Sequence, residues 1–323
     1  MQGNLEEVKR RFYFSTVRFF IRPILELHLP PYKGSTFRGL FGHAFRSISC
    51  VRKAKVCDGC ALDIECPFRY VFFTPVPLDA KKMKKYPYAP HPFVILPPLD
   101  QRKHYGVEDL LEVTLVLIGK GADLFPYFVY AFEQMGKIGA GKRRGKFTVE
   151  QVRDVDDELL YEKGKFHRFP KNLFWYDLKS GSGDLVRLKF LTPLRVKFEE
   201  KFCSSLEFHI LIRALLRRIS LLSYFHCGCE LQLDFRELIN LSVKVKTVQN
   251  GLRWVDWRRY SNRQRQKLLM GGLIGEVAFE GDLGPFWPLL SLGEWVHVGK
   301  GTSFGFGKYQ IIGGQGNVSH GSF

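Results

Sequence analysis

Three groups of residues in this chain have chemistry to offer. The first is a run of cysteines, Cys50, Cys57, Cys60 and Cys66, built on a Cys57-Asp-Gly-Cys60 knuckle. Four thiolates at such spacings can complete a tetrahedral zinc site, although the outer gaps are looser than in common zinc fingers. Free thiols or a disulfide are the other readings of the group. A thioredoxin-like redox role does not fit, because the knuckle does not open a helix in a βαβ unit. The second group is His43 with Arg38 and Arg46 close by in sequence. Histidine is the side chain that takes and gives protons near neutral pH, so it suits general acid–base work. The third is a pair of glycine-rich runs carrying cations, GKIGAGKRRGKF from Gly136 and WVHVGKGTSFGFGKYQII from Trp295.

Glycines as dense as Gly299, Gly301, Gly305 and Gly307 let a backbone turn sharply and let another group approach its amides closely. Lys300, Lys308, Phe304, Phe306 and Tyr309 add the cations and flat rings that charged backbones and stacked bases favour. Gly-rich turns also serve purely structural ends. The earlier run spells G-x-x-x-x-G-K over Gly136–Lys142, the start of a phosphate-binding P-loop, but Arg143 stands where Ser or Thr is required. Its context is reversed as well, since it leaves a helix and enters a strand. Nucleotide binding is therefore rejected.

The elements that must position these residues follow from pattern. Val17–Leu29 reads as a strand ending at Pro30-Pro31. From Thr36 to Ser49 the apolar residues share one helical face, with Ser35 and Thr36 as candidate caps. Gly39, Gly42, His43 and Arg46 then point away from that face, with Arg38 at its margin. A short aromatic strand is expected over Phe68–Phe73, a strand over Val113–Ile118 and a helix over Leu124–Met135. In the second half, Leu185–Phe198 reads as a strand and Leu206–Phe225 as a long helix. Gly139, Gly141 and Gly145 repeat the spacing of Gly299, Gly301 and Gly305, and the surroundings match as strand, Gly, short helix, Gly-rich loop, strand. Each half thus reads β-α-β-β-α-β. The expected fold is α+β, a tandem duplication of ferredoxin-like domains with glycine-rich loops. The boundaries expected are 1–178 for a domain with the four-cysteine insertion, 184–313 for a second domain, and a flexible tail over 314–323.

Composition narrows the partners. Lys and Arg total 49 against 32 Asp and Glu, a formal charge of +17, which favours a polyanion, nucleic acid ahead of a membrane surface. A chain that is 45% hydrophobic is globular and not disordered. Neither an export signal nor an apolar run of about 18 residues is evident, so no membrane association is expected and the compartment expected is the cytoplasm. Between the long helix and the last repeat, Trp254, Trp257 and Tyr260 interleave with Arg253, Arg258, Arg259, Arg263 and Arg265. Such a mixture grips unpaired bases and phosphates; the alternative is a tryptophan core with a solvated arginine face.

Taken together, GSTFRGLFGHAF after the first strand, the cysteines before PFRYVFF, RYSNRQ, and terminal HVGKGTSFGFGKYQI resemble the CRISPR-associated RNA-processing endoribonucleases of the RAMP superfamily, in their Cas-six branch. The resemblance implies a protein that binds the repeat of a CRISPR transcript and cuts it to release guide RNAs. It implies metal-independent chemistry in which the ribose 2′-hydroxyl attacks its own phosphate, leaving a cyclic phosphate and a 5′-hydroxyl. It places a catalytic histidine on the first helix, hence His43, with Arg46 and Arg38 steadying the phosphate and Lys33 or Tyr32 assisting from the preceding turn. His297, leading into the terminal loop, is the next histidine in line. RNA contacts carry onto Lys142, Arg143, Arg144, Lys300 and Lys308. No cofactor is implied for catalysis; a zinc at the cysteines would be structural. The rival within the same superfamily is a non-catalytic subunit that holds guide RNA in an interference complex. Other subunits of such a complex, or a second copy of the chain, are the protein partners the resemblance implies.

Overall fold

The structure, a computed structural model, describes residues 4–52, 57, 59–62, 65–256, 258–261 and 266–312, without the side chains of 257–269. The chain divides into two compact units. The first comprises Phe12–Leu173 with Leu221–Gly228; the second takes the N-terminal segment up to Arg11, Phe174–Ser220, and the chain from Cys229 onward. This differs from a division at 178 and 184 for physical reasons. Asn4 donates to Glu230 O (2.7 Å) and accepts from Gln232 N (2.8 Å), which ties the N-terminus to the second unit. His226 bonds the Tyr70 hydroxyl (2.9 Å) and Pro90 O (2.7 Å), which gives its segment to the first.

Helix α1 (Leu5–Arg11) precedes the long strand β1 (Tyr13–Pro23) and the short β2 (Leu27–His28). The single strand expected over Val17–Leu29 is thus broken after Pro23. There the amides of Ile24 and Leu25 both turn to Lys146 O. Next come α2 (Gly34–Ser49), α3 (Pro67–Phe72), β3 (Phe93–Leu96), β4 (His104–Tyr105), β5 (Leu111–Ile118), α4 (Phe125–Ile138), β6 (Phe147–Asp154), β7 (Leu159–Glu162) and β8 (Lys165–Phe166). The expected strand at Phe68–Phe73 is the helix α3 instead. Pro67 occupies its first turn, where a missing N–H costs nothing, and Phe68, Val71 and Phe72 recur at helical spacing. The sheet runs β3-β5-β1-β6-β7-β8 with antiparallel neighbours. Its long elements follow the order β1-α2-β3-β5-α4-β6.

The second unit begins with β9 (Leu173–Phe174), which straddles the boundary, and β10 (Leu185–Leu194). It continues through β11 (Lys197–Phe198), β12 (Lys201–Phe202), α5 (Phe208–His226), α6 (Phe235–Val243), β13 (Lys246–Asn250), β14 (Arg253–Val255), β15 (Arg258–Ser261), β16 (Gln266–Leu269), β17 (Gly272–Glu280), α7 (Trp287–Val296) and β18 (Tyr309–Ile312). Its main sheet is ordered β13-β17-β10-β18, again antiparallel. The sequence β10-α5-β13-β17-α7-β18 repeats the pattern of the first unit. Along β10, Val186, Leu188 and Phe190 are buried while Arg187 and Lys189 are exposed, the alternation of a strand covered on one face. Gly293 makes room on α7 for the Tyr309 hydroxyl, which donates to Leu290 O (2.6 Å).

Aromatic rings fill the first core. Phe41 on α2 stacks on Phe128 of α4 (5.3 Å between centroids) and meets Phe45, Phe72, Phe93 and Phe132. Phe132 in turn stacks on Phe19 of β1 at 4.1 Å. Phe41 therefore locks the helix bearing His43 to both α4 and the sheet. Phe41→Ala is expected to lower the urea-unfolding free energy by about 3–5 kcal/mol; a loss below about 1 kcal/mol would show that α2 is held some other way.

Candidate functional site

Helix α2 begins without a side-chain cap. Lys33 occupies the cap position, and Ser35 and Thr36, the expected caps, lie inside the first turn. The Lys33 side chain is fully buried, and its ammonium donates to Asp100 O (2.6 Å), Asp100 Oδ1 (3.2 Å) and Pro31 O (3.4 Å). Burial lowers its pKa, against the pull of Asp100. Burial also works against the Asp100 carboxylate, but hydrogen bonds from Tyr105, Arg102 and Lys33 win and hold it below its usual range. Lys33 thus anchors the turn before α2 and is spent on that task. Burial pushes the Tyr32 phenol well above its usual range, so it keeps its proton.

His43 is exposed on α2. Around Gly39, one helical turn earlier, a Cβ would meet nothing within 4 Å, so the surface next to His43 is open. The arginines take another direction. Arg38 lies over the Phe72 ring (4.5 Å) and Arg46 over Phe68 (5.5 Å), both toward α3. Gly42 faces Arg38 and Phe72 as well, each within 3.2 Å of where its Cβ would be. The broad open face expected from the helical wheel is therefore narrower: α3, read from sequence as a strand, covers its Gly42–Arg46 side.

The first glycine-rich run is a tight turn. Ala140 and Gly145 exchange backbone hydrogen bonds (2.8 and 3.0 Å), and Lys142 N donates to His28 O (3.1 Å). Gly139 and Gly141 have positive φ, 88° and 75°, and their missing side chains admit the carbonyls of Arg144 and His28. Lys142, Arg143 and Arg144 are left exposed at its tip. The run follows the C-terminal end of α4 and leads into the strand β6, the reverse of the strand-to-helix order a P-loop needs.

The terminal run corrects the idea of an open backbone cradle. The amides of Val298, Lys300, Phe304, Gly305, Phe306, Gly307 and Lys308 already have partners within the protein, among them Lys300 N to Arg195 O (2.7 Å) and Gly307 N to Pro193 O (2.9 Å). Gly299, Gly301, Gly305 and Gly307 all have positive φ. A Cβ on Gly299 would lie 2.5 Å from Arg195 O, and one on Gly307 would overlap Val298 O. These glycines exist to fold the loop. Lys308, an expected RNA contact, instead donates its ammonium to Glu294 O (2.8 Å), while Arg218 Nε donates to Val296 O (2.7 Å). Two cations thereby satisfy the last carbonyls of α7, where the helix dipole favours positive charge. Arg218 is itself buried. His297 is 1% exposed, and burial, with Lys308 and Arg218 nearby, holds its pKa well below the usual range. Its Nδ1 donates to Phe306 O (3.1 Å), so it is a neutral packing residue. Lys300 remains exposed.

Among the described residues, no three of Cys50, Cys57, Cys60 and Cys66 bring their sulfurs within 4.8 Å of one another. Burial, the largest influence, pushes the Cys57 thiol up; the thiols of Cys50 and Cys66 act in the same direction, and Arg46 and Arg69 oppose them. Cys57 and Cys66 pack against the aromatic core. The side chains of Arg258 and Arg259 lie outside the described residues, as does the tail over 314–323. Sequence reading passed over Glu26, His28 and His104, which the structure brings together beside the first turn. Only the pairing of β2 with β4 joins them, and strands of two residues leave no periodic signal.

The chain thus has two antiparallel α+β units of like order, each with a cation-bearing glycine-rich loop between a helix and a strand, and these can be compared with known proteins. Residues 188–309 match the family model of the CRISPR-associated endoribonuclease Cas6, and residues 12–172 match the AF_1859 N-terminal domain model. An uncharacterized protein of Archaeoglobus fulgidus is 23% identical over 316 residues, covering 95% of this chain and 97% of that protein. A Thermus thermophilus Cas6 in its product complex superposes with a TM-score of 0.56 at 16% identity, covering 93% of this chain and 99% of that one. A partial Cas6-RT-Cas1–Cas2 complex gives 0.55 at 11% identity, covering 97% of this chain and 47% of that one. Residues 188–309 thus match the Cas6 endoribonuclease family, and the fold of the whole chain is similar to that of solved Cas6 structures. No helix among the described residues is long and apolar enough to cross a membrane.

The loop geometry makes a comparison of glycines informative. Gly307→Ala meets both a positive φ and the Val298 carbonyl, whereas Gly164→Ala meets a positive φ of 89° with nothing within 4 Å. Thermal unfolding should show Gly164→Ala costing about 1–2 kcal/mol and Gly307→Ala clearly more. Equal costs would mean that the terminal loop is not closely packed.

Proposed function

We propose that this protein is an endoribonuclease that binds the repeat of a CRISPR transcript and cuts it by metal-independent attack of the ribose 2′-hydroxyl on the adjacent phosphate, with both units built as ferredoxin-like domains. The observation that carries the reading is the match of residues 188–309 to an endoribonuclease family. Cleavage of this kind needs a proton acceptor for the 2′-hydroxyl, a proton donor for the leaving 5′-oxygen, and cations for the charge on the phosphorane. His43 is the proposed acid–base residue. Its exposure supports the assignment, as does the open surface at Gly39, which leaves room for a ribose-phosphate strand. Lys142, Arg143 and Arg144 in one unit and Lys300 in the other are the proposed phosphate contacts, supported by their exposure on rigid turns. Arg38 and Arg46 would contribute charge from their stacked positions at the edge of α3. Lys33 and Lys308 serve the fold, and zinc at the cysteines stays a structural proposal.

The test incubates full-length protein with repeat RNA in EDTA. Wild type should cut once per repeat, and His43→Ala should be slower by about 10²–10⁴-fold while its RNA affinity changes little. Cleavage by His43→Ala at the wild-type rate would move the catalytic role elsewhere. No cleavage by wild type under any condition, with tight RNA binding retained, would favour the non-catalytic subunit.

A further inference from the structure

The cluster on β2 and β4 is assigned no part in the reading above. His28 and His104 are direct cross-strand partners, and Glu26 stands two residues before His28, so all three side chains can share one face of the ribbon. His28 Nε2 lies 3.0 Å from Glu26 Oε2, and His104 Nδ1 lies 3.7 Å from Glu26 Oε1. The imidazole centroids are 4.6 Å apart with the rings nearly perpendicular. One donor atom from each residue fits within a mutual 4.8 Å.

We infer that Glu26, His28 and His104 form a binding site for a divalent ion of the zinc class. Bonds of about 2.0–2.1 Å at tetrahedral angles place neighbouring donors about 3.3–3.4 Å apart. The separations of 3.0 and 3.7 Å, one to each oxygen of Glu26, lie on either side of that value, so seating an ion calls for a rotation of the carboxylate and side-chain adjustment within the mutual 4.8 Å. Two imidazoles and a carboxylate are also the donor set such ions accept with a fourth position open. The site is open to solvent, the His104 side chain being 64% exposed.

The backbone under the site is fixed from both sides. Leu29 N donates to Lys103 O (2.8 Å) across the ribbon, and Lys142 N donates to His28 O. Gly141 and Gly145 press so closely on the His28 and Glu26 carbonyls that a side chain on either would overlap them. Two cations compete with an ion here. Arg143 acts on Glu26 through space, while Arg102 is engaged by Asp109 (2.7 Å) and by His104 O (3.4 Å). Each carries a single charge that must be shared or displaced, whereas the ion would be bonded by all three donors. The site is separate from the proposed cutting chemistry, which is expected to run in EDTA.

The experiment uses tag-free, full-length protein stripped with chelator, titrated calorimetrically with Zn²⁺ and followed optically with Co²⁺. Because the cysteines can bind either ion, wild type is compared with His104→Ala and Glu26→Gln, which leave every thiol in place. Wild type should bind one ion that both variants hold about tenfold or more weakly. In the Co²⁺ spectrum, each variant should lose intensity in the visible ligand-field bands with no change in sulfur-to-cobalt absorption. Unchanged melting temperatures before metal is added would show that the variants are folded. Identical stoichiometry, affinity and spectra in all three proteins would overturn the site.

Discussion

Backbone pressed against backbone, with no side chain between, is the constraint on which the two glycine-rich runs depend. In the first unit, Gly141 and Gly145 admit the carbonyls of β2 and its approach; in the second, Gly299 and Gly307 admit those of Arg195 and Val298. Each contact fixes a turn that a larger residue would push open. The consequence is chemical. Because the terminal loop spends its amides inward, whatever it offers a polyanion must come from side chains, and Lys300 is the exposed cation within it. The first loop leaves Lys142, Arg143 and Arg144 outward on a turn closed by backbone hydrogen bonds between Ala140 and Gly145.

Much of this was legible in the sequence, and the failures have causes. The repeated glycine spacing marked the two loops, and the strand–helix–loop–strand order around them appears in both units. Long periodic elements such as β10 and α5 were found close to their observed bounds. What failed was local. Phe68–Phe73 is apolar enough for strand or helix, and the helix is favoured by Pro67 in the first turn and by the spacing of Phe68, Val71 and Phe72. That misreading hid the surface against which Arg38 and Arg46 stack. Lys308 read as an RNA-facing cation because burial of a charge needs a partner from elsewhere, here a carbonyl at the end of α7, which no spacing announces. Glu26, His28 and His104 were invisible for the same reason: a two-residue pairing assembles them.

In the proposed site, side chains on rigid supports do the work. α2 presents His43, and the rings around Phe41 hold α2 to α4 and the sheet, so the histidine's position is set by the core and not by a loop. The proposed phosphate contacts Lys142, Arg143, Arg144 and Lys300 are on elements other than the helix of His43, which lets one be altered without the other. Chemistry of this kind needs neither an external nucleophile nor a metal, because the ribose supplies the attacking oxygen.

That last point is the most direct test of the account. Repeat RNA carrying a single 2′-deoxy sugar at the cut should bind the wild-type protein as tightly as unmodified RNA and remain uncut, while the unmodified strand yields a product ending in a cyclic phosphate. Cleavage of the deoxy substrate at that position would show that another nucleophile attacks the phosphate, and would contradict the mechanism.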